Sequence, residues 1–401
     1  MNTDYRKLLD EGVSYLVGER RIVTGIAGAY GGLRGGETFV SGNIREVRLE
    51  NGMFVPDTAP MDEHSIFDLA SVTKLFTCIA VMQLCERGKL SLTDPIGRLD
   101  PRFTHIRDAS VEGLLSFRAA LQTNARVDRA GSAEEAKRLL FDIRPAPAPK
   151  RRFYTDMGAM VLRYIVESVS GQPFFEYLSR NIFQPLGMEH TFADVPQALL
   201  SGTVCYNYER TVSGDGAFHV DTACPAGTVH DPKARLMRRG ETGPCGHAGL
   251  FSTLGDMRRL AEGLLRGDIL ERQTLLTIGV NRTGAKLADG GYSQHMGYLC
   301  YSKHPVQTYS EVPACFGERT IALNGFTGNH FSVDPDRNQY MILLANRIHN
   351  RVTTLTGRAD PHDHTETTRW DDGKDYIVSQ NFVYLKDRYL KNTIGELLNE
   401  C

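Results

Sequence analysis

Strand-like segments open and close this chain, and a long helical stretch lies between them. From residue 21 to residue 67 the signals are those of strands and hairpins. Ile22-Val23-Thr24-Gly25-Ile26 reads as a strand, and the stretch 30–38 holds four glycines between extended segments. The stretch 47–55 turns at Asn51-Gly52, a dipeptide that suits a two-residue hairpin. At Ser71 the character changes. Val72, Leu75, Phe76, Ile79 and Met82 repeat at helical spacing and Gly88 ends the run, which predicts a helix over 72–87. A second helix is predicted over 157–170, closed by Gly171, and a third over 174–182, stopped before Pro185. Three prolines make 143–150 an extended connection. After Gly290 strand signals return in 331–333 and 340–345, around a turn at Pro335-Asp336-Arg337-Asn338, and a helix is predicted over 379–398.

This order predicts an α+β fold. The N- and C-terminal regions would share one antiparallel sheet flanked by helices, around a large, mostly helical insertion. The expected division is 1–67 with 255–401 for the sheet domain and 68–254 for the inserted domain, with the site between them.

Charge and cysteine content narrow the partners. Lys and Arg number 46 against 48 Asp and Glu, so the formal net charge is −2. Nothing there calls for nucleic acid or an anionic membrane. No run approaches the roughly 20 apolar residues of a membrane-spanning helix. The first 21 residues lack a cationic start followed by an apolar stretch, so no secretory signal and a cytoplasmic location are expected. Eight scattered cysteines include no C-x-x-C pair. No metal site and no cofactor are expected.

Ser71-Val72-Thr73-Lys74 places a lysine one turn after a serine at a helix start. A serine nucleophile needs a neighbour that handles its proton and a positive helix end that favours an oxyanion. The same four residues also suit a plain N-cap followed by a solvated lysine. Tyr154-Thr155-Asp156 is the only Y-x-[ND] in the chain and directly precedes the predicted second helix. Tyr154 could serve as a base beside a cation such as Lys74. It could equally pack while Asp156 caps the helix.

Together these segments resemble the serine β-lactamase and penicillin-binding-protein-like family, specifically its class C β-lactamase and family VIII esterase branch. The resemblance rests on Phe67-Asp68-Leu69-Ala70-Ser71-Val72-Thr73-Lys74, Tyr154-Thr155-Asp156-Met157-Gly158, Gly246-His247-Ala248-Gly249-Leu250-Phe251-Ser252-Thr253 and Gly325-Phe326-Thr327-Gly328, in that order. It implies a β-lactamase/transpeptidase-like fold and an acyl-enzyme formed at Ser71, with Lys74 and Tyr154 sharing the nucleophile's proton. Asp156 stands where the family more often has Asn. The oxyanion hole implied is the N–H of Ser71 with that of Phe326, after Gly325. One departure stands out: relatives often read H-T-G-F-T-G where this chain has Leu323-Asn324-Gly325-Phe326-Thr327-Gly328. Leu323 takes the place of the cation and Asn324 that of the hydroxyl.

From Leu323 an apolar wall in the cleft is expected, favouring neutral esters and amides over β-lactams or D-Ala-D-Ala peptides, unless Arg319, Arg347 or Arg351 restores the charge. His247 is a possible substrate contact, with an ordinary loop hydrogen bond as the alternative. Asp360-Pro361-His362-Asp363-His364-Thr365-Glu366 is read as a solvated loop, and Gly31 to Gly36 as a hairpin turn rather than a phosphate cradle. The leading function is a serine hydrolase of small ester or amide substrates, an esterase or amidase rather than a true β-lactamase. The alternatives are an acyltransferase or D-amino-acid peptidase using the same acyl-enzyme, and a non-catalytic binding protein on this scaffold.

Overall fold

A computed structural model describes residues 4–240, 243–356 and 366–400. Its main sheet has six strands: β1 (Gly25–Gly32), β2 (Gly35–Glu50), β3 (Met53–Pro60), β4 (Ile321–Asn324), β5 (His330–Asp334) and β6 (Gln339–Ala345). Their spatial order is β4-β5-β6-β1-β2-β3. Every neighbouring pair is antiparallel. The two ends of the chain therefore meet at β1 and β6, where Ile26 lies opposite Ala345 and Ala29 opposite Ile342. Asn51 and Gly52 both have positive φ, 50° and 79°, as the hairpin between β2 and β3 requires. β1 begins at Gly25 rather than Ile22, because the chain bends at 22–24: the N–H groups of Ile22 and Val23 turn back to Leu16 O (2.8 and 3.5 Å), and that of Thr24 reaches Asn346 O (2.9 Å).

Helix α1 (Tyr5–Ser14), not foreseen from the sequence, lies against α7 (Asn392–Glu400) at the chain's end. Leu9, Val13 and Leu16 share a buried cluster there with Phe382, Leu390, Ile394 and Leu398. Helix α6 (Phe382–Lys386) runs into a π-helical turn, Asp387–Lys391, before α7. In the chain between the two halves of the sheet come α2 (Thr73–Glu86), α3 (Met157–Ser170), α4 (Pro232–Met237) and α5 (Leu254–Arg266). Residues 73–84 of α2 are all buried, as expected of a central helix rather than an amphipathic surface one. Its packing partner α3 ends at Gly171, whose φ of 69° is the left-handed C-cap.

Two expectations fail locally. The segment beginning at Phe174 does not stop before Pro185. It continues through a π-helical turn, Ser179–Phe183, to Leu186. Proline has no N–H to give the carbonyl four residues back. Here that carbonyl, Asn181 O, accepts from Gln83 Nε2 of α2 at 3.0 Å instead. Second, the region 68–254 is not helix and loop throughout. Glu209–Val212 and Phe218–Asp221 form a small sheet with Val352–Leu355, a partner some 140 residues away that no local pattern announces.

Candidate active site

The approach to Ser71 is fixed before the helix begins. Phe67–Asp68 pairs antiparallel with Phe251–Ser252. The buried Asp68 carboxylate accepts from the backbone N–H of Ala70 (2.8 Å) and of His230 (2.7 Å). Its own carbonyl accepts from Thr327 Oγ1 (3.0 Å) and Asn329 Nδ2 (2.9 Å). These four bonds hold Ala70 at φ 47°, a left-handed conformation that costs a non-glycine residue about 1–3 kcal/mol. Ser71 then lies in a single 3-10 turn, Ala70–Val72, and α2 proper starts at Thr73.

The first turns of α2 are tied to the glycine-rich loop beneath them. Thr77 Oγ1 donates to Gly246 O (2.6 Å), and Thr73 Oγ1 accepts from Leu250 N (3.3 Å). Lys74 is fully buried, not solvated. Its Nζ lies 3.0 Å from Ser71 Oγ, 2.8 Å from Asp156 Oδ1 and 3.3 Å from His247 O. It also sits 4.8 Å from the centroid of the Tyr154 ring. Burial pulls the Lys74 pKa down, but the Asp156 carboxylate and Tyr154 more than reverse this and hold it above the ordinary lysine value. Burial likewise pushes Asp156 up, and Lys74, His247 and Lys233 bring it well below the usual carboxylate range.

Tyr154 is stacked between Phe117 (centroids 5.6 Å apart) and Tyr301 (5.6 Å, planes 2° apart). Its backbone N–H donates to Gln294 Oε1 at 2.8 Å. Asp156 occupies the N-cap position of α3, yet its side chain does not cap, because Lys74 and Lys233 hold both oxygens. Thr155 Oγ1 accepts from Met157 N instead, at 3.3 Å. His247 does not line the cavity at Ser71, and its contacts are those of the loop hydrogen bond given as the alternative. It is buried, with Nε2 3.0 Å from Asp231 Oδ1 and Nδ1 3.3 Å from Cys245 O. Asp156, Asp231 and His247 form the one group with metal-ligand spacing among the described residues. Their carboxylates already bind two lysine ammonium groups, so the donor set does not suit a cation. His362 and His364 lie outside the described residues; Glu366 pairs with Arg20 at 2.6 Å.

On the other side of the cleft, β4 ends against the approach to Ser71. A Cβ on Gly325 would stand 2.8 Å from Leu69 O, so only glycine lets the strand come this close. Ser71, Tyr154, Asn324, Gly325 and Phe326 line one cavity of about 810 Å³. The half-exposed Phe326 ring stacks on His230 (5.5 Å) and under the Arg347 guanidinium (4.3 Å), and its carbonyl accepts from Arg347 Nε at 2.6 Å.

Leu323 corrects an expectation. It is 1% exposed in the main core, opposite Phe331, and contributes no wall to the cleft. Alternation along the strand turns the next residue, Asn324, to the cavity. Asn324 Oδ1 accepts from Lys386 Nζ of α6 (3.0 Å) and contacts His330 Nδ1 (2.9 Å), while Nδ2 donates to Glu311. Burial pushes Lys386 down to about 8, partly offset by Glu311. Of the three arginines considered, only Arg347 reaches the cavity. Arg319 pairs with Asp336, and Arg351 with Glu46 at 3.0 Å. Arg126 and Arg152 also line the cavity. Sequence reasoning missed Lys386, which sits beside Asp387, Arg388 and Lys391 and so carries no local signal of its own, and the run from His230 to Lys233.

A protein-family model described as "Beta-lactamase" matches residues 28–360. A putative D-alanyl-D-alanine carboxypeptidase of Escherichia coli (strain K12) is 27% identical over 336 residues, covering 72% of this chain and 70% of that protein. Among solved structures, a mutant of simvastatin synthase (LovD) from Aspergillus terreus superposes with a TM-score of 0.68 at 16% identity, over 100% of this chain and 99% of that one. EstCE1, a hydrolase with promiscuous acyltransferase activity, gives 0.66 at 18% identity over 98% of each chain. These two structures share the fold.

Two outcomes are expected. Leu323→Ala should cost about 2–5 kcal/mol of stability, seen as a lower urea midpoint, with KM unchanged; a changed KM at an unchanged midpoint would put Leu323 back in the cleft. The folded-state pKa of Asp156 lies below its unfolded value, so its stabilisation is present above about pH 4 and lost as the pH falls further. Asp156→Asn should therefore flatten the acid side of the stability–pH curve, measured by urea unfolding at a series of pH values.

Proposed function

The chain belongs to the beta-lactamase family, and from that premise we propose that it is a serine hydrolase acylated at Ser71. The observation that carries the reading is the Lys74 ammonium, buried 3.0 Å from Ser71 Oγ and 2.8 Å from Asp156. Ser71 Oγ attacks the carbonyl carbon of a small ester or amide and gives up its proton to the Lys74–Tyr154 pair. Lys74 is held as an ammonium, so Tyr154 is the member that accepts. The oxyanion is held by the N–H groups of Ser71 and Phe326, at the helix start and beyond the end of β4. The proton then passes to the departing alcohol or amine as its bond to the acyl carbon breaks. Water enters, loses a proton to the same pair, and releases the acid while Ser71 is reprotonated.

Arg152, Arg347 and Lys386, which share the cavity with Glu209 and Glu311, support a second reading within this chemistry. They suit a substrate with a free carboxylate, as at a peptide C-terminus, and replace the expectation of an apolar cleft drawn from Leu323. Hydrolysis of such a terminal amide, or transfer of the acyl group to an amine or alcohol, would use the same acyl-enzyme. No helix among the described residues is long and apolar enough to cross a membrane. We also propose the domain division at 68–254 and a cytoplasmic location.

A fluorophosphonate should add to the native protein and not to Ser71→Ala, as read by intact mass; an unlabelled native protein would favour a non-catalytic binding role. Tyr154→Phe should lower kcat on a short-chain p-nitrophenyl ester by about 10²–10⁴-fold. For esters matched in size but differing by one carboxylate, the native enzyme should prefer the anionic one. Lys386→Met should reduce that preference by about 10- to 150-fold. In the native enzyme the preference should fade as the pH rises through about 8, where Lys386 loses its proton. An unchanged ratio in Lys386→Met would remove Lys386 from substrate recognition.

A further inference from the structure

Lys74 has three N–H bonds to give and three acceptors around it: Ser71 Oγ, Asp156 Oδ1 and His247 O. Behind this first set the contacts close into a ring. Asp156 Oδ2 lies 3.0 Å from Lys233 Nζ, which is 3.3 Å from Asp231 Oδ2. Asp231 Oδ1 meets His247 Nε2 at 3.0 Å, and the carbonyl of His247 returns to Lys74. The groups facing Lys74 from the elements around it are thus Tyr154 and Asp156 at the start of α3 and His247 from the glycine-rich loop. Asp231 and Lys233 stand beyond them at the start of α4.

One short run of sequence builds the outer half of the ring. Asp231 caps α4 by accepting from Ala234 N (2.9 Å), and Pro232 supplies a first helical residue with no N–H to satisfy. Lys233 follows, with its side chain mostly buried. The preceding His230 N–H is bonded to Asp68, the residue that sets the approach to Ser71. The segment 230–233 therefore touches both supports of the nucleophile without reaching Ser71.

We infer that Lys233 is a positioning residue for acyl transfer: it grips the outer oxygen of Asp156, fixes that carboxylate on Lys74, and sets the local field in which the Lys74–Tyr154 pair loses its proton. The inference rests on the proposed roles of Ser71, Lys74 and Tyr154. A neighbouring cation favours the deprotonated pair and a neighbouring carboxylate opposes it, so Lys233 and Asp231 act with opposite signs. A role in packing alone would show no such opposition.

The test is the pH dependence of kcat for a p-nitrophenyl ester in Lys233→Met, Lys233→Arg and Asp231→Asn, with intact-mass labelling by a fluorophosphonate alongside. Lys233→Met should move the acid limb to higher pH by roughly one unit, because the pair holds its proton more tightly. Asp231→Asn should move it to lower pH, and Lys233→Arg should restore the native position. Limbs that stay in place, or shift in the same direction in Lys233→Met and Asp231→Asn, overturn the inference. If labelling still depends on Ser71 in that case, only the role of Lys233 fails. If the native protein is not labelled, or Ser71→Ala retains turnover, the underlying reading of the site fails with it. Should Lys233→Met not fold, Asp231→Asn and Lys233→Arg still decide the sign and the rescue.

Discussion

A fully buried ammonium group has to be compensated, and the contacts that compensate Lys74 organise this protein's site. Left without a counter-charge, such a group would cost several kcal/mol and shed its proton. Asp156 supplies the charge at 2.8 Å, and the His247 carbonyl and Ser71 Oγ take the remaining hydrogen bonds. Breaking a pair of this kind by removing one partner typically costs about 3–5 kcal/mol. The start of α3, the glycine-rich loop and the start of α2 are thus bound to one another through a single nitrogen. With Asp where the family more often has Asn, the tie is ionic. In the proposed mechanism Lys74 then serves the nucleophile as a fixed positive charge, and the proton traffic falls to Tyr154.

The sheet brings the second half of the site to the first. β4 can press against the backbone before Ser71 only because residue 325 is glycine, and Thr327 and Asn329 lock that contact onto the Asp68 carbonyl. The strained Ala70 is the visible cost of presenting Ser71 at the cavity. These supports come from chain positions some 260 residues apart, and the pairing of β1 with β6 joins the two regions that contain them.

How much of this was legible in the sequence depended on range. The Asn51-Gly52 turn, the Gly171 stop and the three-residue spacing of Ser71 and Lys74 are local, and each was readable from a few neighbouring residues. The resemblance supplied the order of the motifs and decided between the two readings of Tyr154. It failed at Leu323, because matching letters along a strand does not say which face each residue takes. Only the pairing of Leu323 with Phe331 decides that, and it puts the leucine in the core. Lys386 and Lys233 were illegible for a related reason. Each does its work through a partner far away in the chain, Asn324 and Asp156, and nothing in the neighbouring residues distinguishes either from an ordinary helix lysine. The continuation of helix through Pro185 depends in the same way on a distant side chain, Gln83.

The charge on Lys74 is the claim from which the proposed mechanism follows, and it can be observed without turnover. The measurement is the 13C shift of lysine Cε across roughly pH 5 to 9, in protein carrying labelled lysine, with the Lys74 signal assigned by its loss in Lys74→Met. With Tyr154 as the base, that signal stays at its ammonium position throughout. A Lys74 that titrates near neutral pH would contradict it and make the lysine, rather than Tyr154, the base.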